Sequence, residues 1–449
     1  FGFNDLKITT KGIDLNIPIS KYKLSSTGDV TFEIKKDGKM SASTKDAVIN
    51  ATLDGTDFKN FKLNGSINYD PKTGTMDLQG HDGNDVKISG FIENKQLDLA
   101  AKGGLKIDRN PKGEVQLAGN NIKVNGMIDG FKVESLSDAS GKILIKNNGH
   151  MDMTNLKFEF KVDDVIISNK NGSINGNDDG YDLKFQGNVN SNRENLLKFM
   201  EKISVNESIP PVTRKTIDET VKNVRNYINF TDLKNGKYEN FHLKLDRDLN
   251  FKDFQADISG STTKTGFKLG IHGAPGVLNA GNVDIKAHVS SSNDEFKIKN
   301  GNVSFALTKE VKDSIAKMAA DIFKSYDLHD LDITVKDNGD IKLNKATYKK
   351  IPIIDIDIAV TTKFQGTKMI LALEEANVQG FLGRLVQKVV EGGFGVDGKQ
   401  IGIEKIMPKA TDIKMNYNKG EHSIALDFRD VFYEQIGDDV ELKSMGAKD

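Results

Sequence analysis

The stretch Asn155-Leu156-Lys157-Phe158-Glu159-Phe160 decides how the chain reads. A small polar residue opens it, and apolar and charged side chains then alternate strictly. A period of two puts Leu156, Phe158 and Phe160 on one face of a strand and Lys157 and Glu159 on the other. A half-buried antiparallel strand needs that arrangement. Variants of the motif return along the whole chain. They include Asn60-Phe61-Lys62-Leu63, Asp85-Val86-Lys87-Ile88, Asn121-Ile122-Lys123-Val124, Asp182-Leu183-Lys184-Phe185, Asn240-Phe241-His242-Leu243, Asp330-Leu331-Asp332-Ile333 and Asp412-Ile413-Lys414-Met415.

Turn signals separate the copies. Asp37-Gly38, Asp54-Gly55, Asn64-Gly65, Asn125-Gly126, Asp129-Gly130, Asn171-Gly172, Asn235-Gly236 and Asn300-Gly301 accept the positive φ of tight hairpins. Some of these pairs are equally readable as bulges, because Gly inside a strand often marks one. The copies have no fixed spacing, which argues against a propeller or a helical or leucine-rich array. A long antiparallel meander fits, with on the order of a dozen strands or more before residue 190 at ordinary strand lengths.

Four amphipathic helices are expected in the second half. The first covers 193–203 behind an Asn192 cap, and the second starts at Pro210-Pro211 with Ile217, Val221, Val224 and Ile228 in line. The third follows Thr308 and aligns Val311, Ile315, Met318, Ile322 and Tyr326. The fourth follows Asn377, carries Val378, Phe381, Leu382, Leu385, Val386, Val389 and Val390, and stops at Gly392-Gly393. The chain therefore divides into an all-β section (1–190), a helical pair (191–230) and a β-rich section with two helices (231–449).

Composition narrows the function classes. The 449 residues hold 63 Lys plus Arg against 64 Asp plus Glu, which argues against a large nucleic-acid footprint. There is no Cys, so disulfides, thiolate metal sites and cysteine nucleophiles are excluded. No run of uninterrupted apolar residues is long enough for a membrane-spanning helix. The chain opens on Phe1, not Met, which points to a removed upstream segment such as a signal peptide or an anchor.

A chemical site does not emerge. The seven histidines are scattered, without HExxH or an i, i+4 helical pair, and each reads as a surface or loop residue. Asn175-Gly176-Asn177-Asp178-Asp179-Gly180 resembles half of a calcium loop, but its twelfth position is Gln186 and a strand follows. It reads as a polar hairpin loop. Gly392-Gly393-Phe394-Gly395 follows a helix where a phosphate cradle should precede one. No enzyme activity, metal or cofactor is expected.

Burial carries the functional expectation. A one-sided sheet must cover its apolar face with a second sheet, with helices or with a ligand, and few helices are on hand. A long, strongly curved, taco-like antiparallel sheet with an apolar groove is the expected architecture, and such a groove suits acyl chains. The expected lining is Phe61, Leu63, Ile88, Ile122, Val124, Phe158 and Phe160, with Phe381, Leu385 and Val389 acting from the fourth helix.

The runs Phe58-Lys59-Asn60-Phe61-Lys62-Leu63-Asn64-Gly65-Ser66-Ile67 and Leu156-Lys157-Phe158-Glu159-Phe160 resemble the strands of AsmA/TamB-type envelope proteins, within the repeating β-groove lipid-transfer proteins. The alternation of strands with amphipathic helices after residue 190 is, more distantly, similar to tubular lipid-binding (TULIP) modules. The first resemblance implies a periplasmic or envelope protein, a lipid ligand, other envelope proteins as partners and a membrane anchor upstream of Phe1. A scaffolding β-rich envelope protein that assembles by strand addition at exposed edges is the alternative. A secreted adhesin and an unrecognised hydrolase are further readings.

Overall fold

The computed structural model describes residues 6–16, 23–53, 56–80, 85–93, 95–109, 112, 114–271, 274–325, 328–337, 341–348, 355–365, 368–379, 414–418, 423–427 and 440–448. Fourteen strands precede the first helix. They are β1 (Leu6–Asn16), β2 (Lys23–Ile34), β3 (Met40–Leu53), β4 (Thr56–Asp70), β5 (Thr75–Gln79), β6 (Val86–Ile92), β7 (Lys95–Arg109), β8 (Val115–Ile128), β9 (Phe131–Ser135), β10 (Ala139–Ile145), β11 (Met151–Val162), β12 (Val165–Asn169), β13 (Ser173–Asn177) and β14 (Gly180–Asn192). Helices α1 (Arg193–Ser204) and α2 (Pro211–Tyr227) follow, then β15 (Ile228–Asn229), β16 (Asp232–Leu245), β17 (Phe251–Ile271), β18 (Ala274–Ser292) and β19 (Phe296–Ala306). Helix α3 (Lys309–Ser325) leads to β20 (Leu328–Val335), β21 (Ile341–Tyr348), β22 (Asp355–Gln365), β23 (Lys368–Gln379), β24 (Lys414–Asn418), β25 (Ser423–Asp427) and β26 (Val440–Lys448).

The protein is mainly β and antiparallel, as the alternation predicts. One 20-stranded sheet holds β1 to β19 and β26, and a six-stranded sheet holds β20 to β25. The large sheet is a meander with split lanes. β5 and β6 lie end to end between β4 and β7. β9 and β10 share the lane between β8 and β11, and β12 and β13 the lane between β11 and β14. The ladder continues directly from β14 to β16, so the sheet passes unbroken beneath the helical pair. β26 lies parallel to β19 at the far edge.

The strands are longer than the sequence motif suggests, because many of its punctuation marks do not reverse the chain. Asn60, Asn121, Asn155, Asn240 and Asp330 have φ of 55°, 56°, 54°, 50° and 49°, yet all five lie inside strands. Asn64-Gly65, Asn125-Gly126, Asn235-Gly236 and Asn300-Gly301 are also internal to strands. These positions accompany register shifts, for example between Lys59 and Lys62, between Glu239 and His242, and between His329 and Asp332. They are β-bulges, which add local bend and twist to a strand. Asp37-Gly38 and Asp129-Gly130 are true turns, whereas Asp54-Gly55 lies outside the described residues.

Those bends accumulate into a roll. Thr56, at the start of β4, hydrogen-bonds through its hydroxyl to the Tyr181 phenol, at the start of β14. Counting β4, β5/β6, β7, β8, β9/β10, β11, β12/β13 and β14, these two residues stand on the first and eighth lanes. Both belong to the apolar face, since Thr56 shares the side of Phe58, and Tyr181 that of Leu183 and Phe185. Side chains on one face can meet across seven lane spacings only if the sheet curls toward that face. The natural twist of about 20–25° per strand carries the lane direction through roughly half a turn over that distance. That explains why the starts of β4 and β14, which would lie at opposite ends of a flat antiparallel sheet, meet. Lys95 Nζ adds a second bond across the roll, donating to the Leu249 carbonyl at 3.2 Å.

The result is a closed, eight-lane barrel-like core and not the open taco-like groove expected from the sequence. The seam is made by side chains, because β4 and β14 already have backbone partners on both sides.

Three helices occur among the described residues, not four. The Asn192 side chain accepts from the Asn195 amide at 2.8 Å and caps α1. Leu197 of α1 and Val221 of α2 are buried, and Val311 of α3 packs with Ala280, Val283 and Phe305 in a small core. Asn377 and Val378, expected at the start of a fourth helix, lie in strand β23. Phe381, Leu385 and Val389 lie outside the described residues.

Candidate functional site

Backbone register shows which expected lining positions come together. Leu63 pairs with Ile88, Ile88 with Leu99, and Ala101 with Val124. Ile122 pairs with Ala139, and Phe160 with both Ser135 and Ile167. Directly paired residues share a face of the sheet. The side chains of Phe61, Ile122, Val124, Phe158 and Phe160 therefore occupy the inward face of the roll, and the backbone register of Leu63 and Ile88 is in phase with them. Phe61, Ile122, Val124, Phe158 and Phe160 are only half-buried, although they face inward.

The sequence reading missed part of this wall. The Phe158 and Phe160 rings stack with centroids 4.7 Å apart, and the series continues sideways through Phe185, Phe241 and Phe254 at centroid separations of 6.3, 5.7 and 5.2 Å. An aromatic ladder thus crosses β11, β14, β16 and β17. Its signal was present, because Phe185 and Phe241 hold the apolar positions of two further copies of the motif.

Small residues lie opposite large ones on this wall. A Cβ on Gly90 would stand 2.7 Å from the Phe61 ring, and one on Gly141 would stand 2.6 Å from the Leu156 side chain. Large side chains that follow a bulge thus lie flat across neighbouring glycines. An eight-stranded barrel is just wide enough to be filled by its side chains or to hold one small ligand.

Polar groups on the inner face serve the ladder. Where β12 breaks from β13, the buried Asn169 amide donates to the Leu156 carbonyl and accepts from the Gln186 amide at 3.2 Å. It satisfies backbone groups of both flanking strands, which would otherwise be unpaired and costly. At the break between β9 and β10, Ser135 Oγ satisfies both backbone groups of Val124 in β8, accepting from its amide at 2.8 Å and donating to its carbonyl at 3.0 Å. The Tyr238 hydroxyl donates to the Ser168 carbonyl at 2.9 Å, and burial pushes its pKa up to about 12.

One end of the roll carries a cation at the seam. The Arg247 guanidinium sits 5.3 Å from the Tyr181 ring centre, donates to the Asn177 carbonyl and stands 3.0 Å from His150 Nδ1. His150 is buried, which corrects its reading as a surface residue. Asp178, from the segment that resembles half of a calcium loop, lies 3.3 Å from His150 Nε2. That segment forms the β13–β14 hairpin, and no group of three or more metal-ligating side chains occurs among the described residues.

The outer face is wet and charged, with Lys161–Asp164 and His242–Asp182 among its pairs. The Lys161 ammonium bonded to Asp164 holds that carboxyl below the usual carboxylate range. No helix among the described residues is long and apolar enough to cross a membrane.

Searches of protein-family models, curated proteins and solved structures found no match to this chain.

Proposed function

We propose that the protein is an envelope lipid-binding or lipid-transfer protein, and that the rolled inner face holds the hydrocarbon chains. One observation carries this reading. Five apolar side chains on the inner face of a closed turn of sheet, Phe61, Ile122, Val124, Phe158 and Phe160, remain only partly buried. An apolar wall turned inward but left accessible is favourable only if something apolar covers it. Burying ten methylenes there contributes about 8 kcal/mol, at about 0.8 kcal/mol each. That offsets a substantial part of the cost of immobilising one chain. The resemblance to AsmA/TamB-type strands points the same way. It also supplies the envelope setting, the partner proteins and the upstream membrane anchor that the reading includes.

Native mass spectrometry of gently purified protein, followed by organic extraction, tests it. A bound acyl lipid is expected, and Phe160→Glu should abolish its retention by placing a charge in the apolar wall. A clean apo mass, together with no uptake of a fluorescent fatty acid, would overturn the reading.

A scaffold that assembles by strand addition has its own support. β1 pairs only with β2 among the described residues, and Leu6 and Ile8 on it are 51% and 50% exposed. Concentration-dependent assembly of lipid-free protein in light scattering would favour this second reading.

A further inference from the structure

The outer face of the sheet is charged over most of its area, but one band is not. Asn155, Asn171, Gln186, Asn240 and Gln255 line a cleft of about 450 Å³ that crosses β11, the break between β12 and β13, and strands β14, β16 and β17. Beyond the cleft, β11 continues with Lys157, Glu159 and Lys161, and β14 has Asp182.

The register explains why a trough forms at this place. Bulges flank the trough in two strands: Asn155-Leu156 in β11, and the Glu239–Phe241 stretch of β16, which shifts the register against both β14 and β17. Between β11 and β14, the shared lane has no strand from Lys170 to Gly172. Asn155 and Asn240 both have positive φ, at 54° and 50°. Bulges of this kind re-aim side chains and are common beside functional sites.

We propose that this cleft binds a neutral oligosaccharide laid across the strands. Three observations determine the class. The first is charge. The ionisable groups of the lining, Lys184 and His242, both lie against the Asp182 carboxylate. That carboxylate offsets the lysine, so the trough presents no cluster of like charges to a phosphate, a carboxylate or an ammonium group.

The second is hydrogen-bonding type. A primary amide both donates and accepts, as a sugar hydroxyl does. Four of the five amides, on Asn155, Asn171, Gln186 and Gln255, are exposed and hold no side-chain hydrogen bond among the described residues. The fifth is oriented: Asn240 Nδ2 donates to Asp257 at 2.6 Å, which leaves its carbonyl oxygen as an acceptor.

The third is spacing. Lanes lie about 4.8 Å apart, close to the length of one pyranose unit. A chain running across the strands therefore meets one new set of amides per sugar. The site is on the opposite face from the lipid wall and does not depend on it.

Isothermal titration of the full chain with maltotetraose, cellotetraose and chitotetraose tests the assignment, with tetragalacturonate as the acidic control. At least one neutral tetrasaccharide should bind at millimolar or tighter concentration, and Gln186→Ala/Gln255→Ala should weaken it at least tenfold. Hydrogen exchange of the unsubstituted protein supplies a second readout that needs no variant. The sugar should slow exchange in β14 and β16 and leave β1–β3 unchanged. The proposal fails if none of the neutral probes binds, if only the acidic one does, or if protection appears elsewhere.

Discussion

Tyr238 shows how a single side chain joins three strands on the inner wall. Its backbone pairs with Gly187 of β14, and its ring lies across that glycine so that the hydroxyl reaches Ser168 of β12. A Cβ on Gly187 would collide with the Ser168 carbonyl oxygen and come within 2.6 Å of the Tyr238 hydroxyl, so no larger residue fits. Burial raises the phenol from 10.0 to about 12. A folded-state pKa above the unfolded value stabilises the fold fully below pH 10, and that stability is lost as pH rises through 10 toward 12. In urea melts across this window, the difference in stability between the native chain and Tyr238→Phe should shrink with rising pH. Parallel curves for the two proteins would contradict it. The variant should also cost about 1 kcal/mol at neutral pH through the lost hydrogen bond. The same scale shows what a residue pattern cannot disclose. Asn121 and Asn155 signal positive φ in the sequence, and both have it. The same backbone state serves a hairpin turn and a bulge, and local residue type does not say whether the chain reverses afterwards.

Among the elements, strands and the first three helices were legible because each has its own period. Alternation at period two marks β11 and β4, and the Val311–Ile315 spacing marks α3. The fourth helix was not securely legible: Asn377 and Val378 continue strand β23, whose preceding residues Lys368–Ala376 pair with β22. A cap-like Asn followed by apolar residues is ambiguous when a neighbouring strand is available to pair with it. The packing of the helical pair was equally hidden, because it rests on two cations that cross between the helices, Arg225 of α2 on Glu194 and Glu201 of α1 and Arg193 of α1 on the end of α2. Arg193 at the first turn of α1 reaches the C-terminus of α2 and donates to the carbonyls of Val224 at 3.1 Å and Ile228 at 3.0 Å. These carbonyls lie at the helix C-terminus, where the macrodipole concentrates negative charge. Arg193→Met keeps the aliphatic stem but removes the donors. It should cost about 1–3 kcal/mol, as for hydrogen bonds to charged groups. The loss should appear as faster hydrogen exchange in the last turn of α2 and in β15, with the β1–β8 amides unchanged. Uniform loss across the whole chain would mean that Arg193 supports the sheet and not the helix pair.

On the scale of the whole molecule, curvature is the property least visible in the sequence. Each bulge changes the direction of a strand only slightly, and the roll is their sum over eight lanes. Whether that sum closes depends on contact between residues 125 positions apart. The lining residues were therefore legible as one face, while the closed shape of that face was not. The absence of cysteine makes closure directly testable. Thr56→Cys and Tyr181→Cys place the only two thiols of the doubly substituted chain on either side of the seam. A short bismaleimide should join them within one molecule and produce a looped species of altered mobility on a denaturing gel. Adding urea before the reagent should abolish that species. If the sheet were an open groove, each thiol would instead take up its own reagent molecule, and the mass would rise by two singly attached linkers with no loop. The cross-linked protein also probes the lipid reading. A seam that must part to admit a chain would leave the bridged form unable to exchange a bound fluorescent fatty acid. An entrance at the end of the roll would leave the exchange rate unchanged.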